Sequence, residues 1–127
     1  MRIRITSVPV NDQEKALQFY TRKLGFVVKN DISMGDFRWL TVVSPDDPYG
    51  VELLLEPLGF APAKTYQQEL FGAGIPYTSF AVENLETEAK RLEEAGVAFR
   101  SKPALHGPVM IAVIEDTCGN LIQLLQQ

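Results

Sequence analysis

Cysteine, histidine and tryptophan each occur once in this 127-residue chain, as Cys118, His106 and Trp39. A single cysteine excludes an internal disulfide and any zinc centre built from several thiolates. No apolar run reaches the roughly 18 residues of a membrane helix. The opening Met1-Arg2-Ile3-Arg4-Ile5-Thr6 also lacks the apolar core of a secretory signal. Neither sign of charge dominates: the formal net charge is -4 and the charges are dispersed, which argues against nucleic acid or an anionic membrane as partner. The expectation is a cytoplasmic protein of one domain. With 46% hydrophobic residues it has enough apolar chain to bury a core without staples.

What the chain does contain is an internal repeat. Val10-Asn11-Asp12, a helical stretch and Leu24-Gly25-Phe26-Val27 recur about 72 residues later as Val82-Glu83-Asn84, a helical stretch and Ala95-Gly96-Val97-Ala98. Gly35 answers to Gly107, and Val51-Glu52-Leu53-Leu54 to Ile122-Gln123-Leu124-Leu125. A supersecondary unit used twice directs attention to the seam between the copies as the place for a ligand.

Each copy reads as β-α-β-β-β. In the first, residues 2–10 alternate as a strand, and Asn11 or Asp12 caps a helix with Glu14 in capping-box spacing. Gly25 stops that helix, and strands follow at about 26–31, 37–44 and 50–56. Residues 57–76 have no counterpart and form a connector with a short helix near 64–71. The second copy runs through a strand at 77–82, a helix at 85–95 capped by Asn84, and strands near 97–100, 109–115 and 120–126. The predicted fold is α+β: two βαβββ modules, about 1–56 and 77–127, forming a curved mixed sheet around one cleft.

The segment from Val10 to Tyr20 with Leu24-Gly25-Phe26, and the closing Glu115-Asp116-Thr117-Cys118-Gly119-Asn120-Leu121-Ile122-Gln123-Leu124, resemble the vicinal oxygen chelate superfamily of glyoxalases, bleomycin-resistance proteins and extradiol dioxygenases. The resemblance spans nearly the whole chain and is specific for fold rather than chemistry. It implies a homodimer. It also implies four metal-ligand positions in metal-dependent members, which fall here on Ile5, Glu52, Tyr77 and Gln123. Glu52 alone is a good ligand, and Ile5 has no donor atom, so no metal and no other cofactor is expected.

Strand alternation gives the seam an apolar, aromatic lining with few polar groups. Ile5, Ser7, Trp39, Thr41, Glu52, Leu54, Tyr77, Met110 and Gln123 are the candidate ligand-binding residues, with Phe37 and Ala112 nearby. Glu52 is the candidate catalytic group, as a general base or ligand anchor, against a structural role hydrogen-bonded to Tyr77 or Gln123. His106 lies in the turn Leu105-His106-Gly107-Pro108 and reads as solvated; Cys118 has no activating base nearby and reads as packing. Arg38 alternates away from the seam and is expected to make surface pairs.

The favoured reading is metal-independent binding of a small apolar or aromatic molecule. The alternative is a glyoxalase- or dioxygenase-like lyase, isomerase or oxygenase that uses Glu52 with a displaced metal or none. A structural or protein-interaction module is the third possibility.

Overall fold

Two polar residues in matching positions start two helices. Asp12 Oδ1 accepts a hydrogen bond from the Lys15 amide at 3.0 Å and opens α1 (Gln13–Gln18). Asn84 Oδ1 does the same for the Thr87 amide, also at 3.0 Å, ahead of the helix Leu85–Glu94, labelled α3. The capping box foreseen for Glu14 does not form. Its carboxylate takes bonds from Gln18 and Arg38 instead.

Beyond Gln18 the helix widens into a π-helical turn, Phe19–Lys23, that buries Phe19 and Tyr20. Both helices end at a glycine with positive φ, Gly25 at 85° and Gly96 at 87°, a conformation that a side chain would strain.

The computed structural model describes residues 1–127, which divide into two compact units, Met1–Lys64 and Thr65–Gln127. The boundary falls within α2 (Ala61–Gly72), the helix of the connector and longer than the stretch expected there. The first unit holds β1 (Ile5–Val10), β2 (Val27–Met34), β3 (Phe37–Val43) and β4 (Glu52–Pro57) in the order β1-β4-β3-β2. The second holds β5 (Thr78–Val82), β6 (Phe99–His106), β7 (Val109–Glu115) and β8 (Leu121–Gln126) in the order β5-β8-β7-β6. In each sheet the first and last strands pair in parallel and the remaining pairs are antiparallel. The fold is therefore α+β, and its two βαβββ modules form two separate four-stranded mixed sheets where one curved sheet is expected from the sequence.

One face of each sheet is covered by its helix. In the first unit Val8, Val10, Leu40, Val42, Leu53 and Leu55 fill that side. In the second, Ala112, Ile114, Ile122 and Leu124 do so with Leu85, Ala89 and Leu92 of α3. Each large apolar side chain buried this way contributes about 1.5–3 kcal/mol.

Gln13 ties α1 to the sheet directly. Its amide nitrogen donates to the backbone carbonyls of Arg38 (2.8 Å) and Leu55 (2.9 Å), and its oxygen accepts from the Arg38 amide (2.9 Å). The paired register of β3 and β4 covers Thr41–Leu54 and Val42–Leu53, so the glutamine bridges the two strands beyond it.

A buried polar knot holds the second unit's closing turn. Asp116 accepts from the backbone amides of Cys118 (2.8 Å) and Asn120 (2.9 Å) and from the Asn120 side chain (2.7 Å). Gln67 of α2 then donates to Asn120 Oδ1 at 3.0 Å and to the Cys118 carbonyl at 3.2 Å. Every buried side-chain polar atom in the chain has a partner.

Candidate functional site

The uncovered face of the first sheet gathers most of the candidate residues. Register sets Ile5 beside Glu52, Ser7 beside Leu54, and Leu54 beside Thr41, so all five share one face. Trp39, two residues from Thr41 on β3, lies on that face opposite Ile32 of β2. Ile5, Ile32 and Phe37 are exposed there, and Trp39 is half-buried. The surface is largely apolar, with Glu52 at its centre and the exposed Ser7 and Glu56 on the same face.

At that centre stands Glu52, only 8% exposed. Its Oε1 accepts a hydrogen bond from Thr41 Oγ1 at 2.8 Å and another from Asn30 Nδ2 at 2.9 Å. Asn30 Nδ2 also donates to Thr41 Oγ1 at 3.1 Å, closing a three-residue cluster. Thr41 is fully buried and Asn30 half-buried. The carboxylate thus takes these bonds from β2 and β3 of its own unit, where Tyr77 or Gln123 had been foreseen.

Asn30 is the residue that sequence reasoning missed. It sits in the polar run Lys29-Asn30-Asp31, which reads as a solvated surface, and a register shift between Val28 and Asn30 breaks simple alternation. The signal was nonetheless present. The two-residue turn Gly35-Asp36 sets Met34 against Phe37, and counting back along the hairpin places Asn30 across from Thr41.

In the second unit Gln123 lies beside Ser79 and donates to its hydroxyl at 2.9 Å, with Val113 opposite on β7. Tyr77 precedes β5, and its ring meets that of Tyr66 edge-on at 6.1 Å. Met110 departs from expectation. It alternates with Ile111 and Val113, so it falls on the same side as Ala112 and Ile114, the helix side of the sheet. Ala112 shares that correction. An unbroken apolar run, Val109-Met110-Ile111-Ala112-Val113-Ile114, offers no polar residue to set the phase.

The remaining candidates stand apart from the cluster. His106 ends β6 as an exposed residue beside the turn Gly107-Pro108. Cys118 is buried in the closing turn. Arg38 pairs with Asp31 through two hydrogen bonds of 3.0 and 2.7 Å and with Glu14 at 3.1 Å. That pairing raises the arginine's pKa and, through the Arg38 hydrogen bonds, holds the Asp31 carboxyl below its usual value. Glu14 is lowered as well, by its bond to Gln18 and then by Arg38.

In the first unit Ile5 has no ligating atom, which leaves Glu52 as the one metal-type ligand among the positions the resemblance implies there. No group of three or more His, Cys, Asp or Glu residues is placed to hold an ion.

The family model of the Glyoxalase/Bleomycin resistance protein/Dioxygenase superfamily matches residues 2–124. The chain belongs to this superfamily. Its similarity to known proteins extends over nearly full lengths. Uncharacterized protein YurT of Bacillus subtilis (strain 168) is 54% identical over 127 residues, covering 100% of both chains. Among solved structures, this glyoxalase-superfamily chain superposes on UcmS2 with a TM-score of 0.86 at 34% identity, covering 100% of this chain and 98% of the other. It is also similar to TnmS3, an antibiotic binding protein from Streptomyces sp. CB03234, with a TM-score of 0.75 at 26% identity, covering 99% and 95%. No helix of this superfamily member is long and apolar enough to cross a membrane.

Proposed function

We propose that the chain binds a small, largely apolar or aromatic molecule and does so without a metal ion. The observation that carries this reading is the state of Glu52. One oxygen of its carboxylate is held by Asn30 and Thr41, on a face that also carries Ile5, Trp39, Ile32 and Leu54. Such a surface offers shape, aromatic contact and a few fixed polar atoms, which is what a binder requires. The likeness to an antibiotic binding protein supports the same class of function.

Ile5, Ser7, Trp39, Glu52 and Leu54 are the ligand-contacting residues we assign in the first unit, with Asn30 added to them and the buried Thr41 holding Glu52 in place. Tyr77, just before β5, and Gln123 on β8 are the residues we assign in the second unit. The same reading takes the protein as cytoplasmic and homodimeric, and light scattering after gel filtration tests the second point.

The test of metal independence is calorimetric titration with the neutral tricyclic acridone, before and after exhaustive EDTA treatment. Saturable binding of unchanged strength supports the proposal. Binding that needs added nickel, zinc, manganese or iron overturns it.

A further inference from the structure

We infer that the ligand selected by this face carries a protonated amine, held by Glu52 Oε2. The inference rests on the reading of the face as a ligand site, and it follows from which atoms of the cluster remain unused. Glu52 is more than nine-tenths buried, and both of its hydrogen bonds fall on Oε1. Oε2 takes none from the protein, and because no fully buried polar atom is left without a partner, Oε2 keeps some exposure to solvent. A carboxylate oxygen has room for further donors.

The rest of the cluster offers no donor of its own. The Thr41 hydroxyl proton goes to Glu52, and Asn30 Nδ2 is shared between Thr41 and Glu52. What remains is the Glu52 carboxylate oxygen and Asn30 Oδ1, both acceptors. A complementary ligand has to donate.

Charge narrows the class further. The basic residues adjoining these strands are engaged elsewhere: Arg38 by Asp31 and Glu14, Arg4 by the Tyr49 carbonyl, and Lys29 by the Pro48 carbonyl and the Tyr49 ring. A carboxylate this enclosed gains more from a cation than from a neutral hydroxyl, since charge-assisted hydrogen bonds are the stronger kind. An anion is disfavoured. Trp39 and its cross-strand neighbour Ile32 supply a wall for a flat ring system, so the class is an aromatic or polycyclic amine.

Three tricyclic probes test this by equilibrium titration: proflavine, cationic at neutral pH; acridone, neutral; and anthraquinone-2-sulfonate, anionic. Proflavine is expected to bind about tenfold or more tighter than acridone, with the sulfonate weakest. Glu52→Gln keeps an oxygen for Asn30 and Thr41 but turns the second position into a donor, and it should bring the proflavine-to-acridone ratio within about threefold. Glu56→Gln, which removes an exposed carboxylate from the same strand, should leave the ratio within about twofold. Independently of any variant, added salt should weaken proflavine and spare acridone.

Equal binding of proflavine and acridone overturns the inference while leaving the binding function standing. So does a preference that survives Glu52→Gln, or one that Glu56→Gln removes equally well. If none of the three probes binds, the ligand-site reading fails and the inference fails with it.

Discussion

Asn30 lies directly across the β2–β3 hairpin from Thr41, and its amide reaches past that hydroxyl to Glu52 Oε1 at 2.9 Å. Three strands thereby meet at one carboxylate oxygen. Glu52 is thereby a hydrogen-bond acceptor held in a fixed orientation.

Asn30→Ala should lower stability by about 1 kcal/mol, the net worth of a hydrogen bond lost from a partly buried site. Asn30→Asp should lower it further at neutral pH, because it sets a second carboxylate against Glu52. Part of that extra loss should return as pH falls into the carboxylate range and the introduced aspartate takes a proton. Urea unfolding at pH 7 and pH 4.5 distinguishes the two variants.

Gln13→Ala removes three hydrogen bonds to the backbones of β3 and β4, at Arg38 and Leu55. A loss of about 2 kcal/mol is expected, since unpaired backbone groups in part-buried positions are costly. Hydrogen exchange should show the largest local gain in rate at the Arg38 amide, which bonds to the Gln13 side-chain oxygen.

Gly119→Ala should destabilise the second unit for two separate reasons. The residue has φ of 98°, and a Cβ there would stand 2.7 Å from Gln67 Oε1 and 2.8 Å from its Cδ. Gln67→Ala removes the collision but leaves the backbone strain and loosens the polar knot. The double variant should therefore be less destabilised than the sum of the singles by about 1 kcal/mol. Simple additivity in thermal unfolding would show that the contact with Gln67 has no energetic weight.

Arg38→Met should flatten the acid limb of the stability curve. Asp31 has its pKa lowered in the folded state by the Arg38 hydrogen bonds. A depressed carboxylate adds stability above its unfolded pKa of about 3.9 and loses it as pH falls through the folded value. Without Arg38 that contribution disappears, so the variant should lose less stability than the parent between pH 5 and pH 3, taken as an approximate window. Asp31 and Glu14, the two carboxylates paired with Arg38, are exposed, so the effect is small.

The fold was legible because the repeat, the caps Asp12 and Asn84, and the stop glycines Gly25 and Gly96 are local signals that packing left in place. The facing of β1, β3 and β4 could also be read, since Val8, Leu40, Val42, Leu53 and Leu55 mark the covered side by alternation. Three features escaped for physical reasons. The π-helical turn at Phe19–Lys23 keeps the apolar pattern of an ordinary helix. β6 runs on to His106 through Pro103, which an edge strand tolerates beside the register shift between Ser101 and Ala104. Gln13 and Asn30 act through long-range contacts with strands that follow them in the chain, and no periodicity encodes such a partner.

Trp39 is the chain's one tryptophan and lies on the proposed ligand face, so its fluorescence reports on that face alone. The most direct test is a titration of Trp39 emission with acridone in the presence of EDTA. Saturable quenching, weakened by replacing Leu54 with Arg, is the predicted result. Absence of saturation, or quenching that appears only when a divalent metal is supplied, would contradict metal-free binding at Glu52.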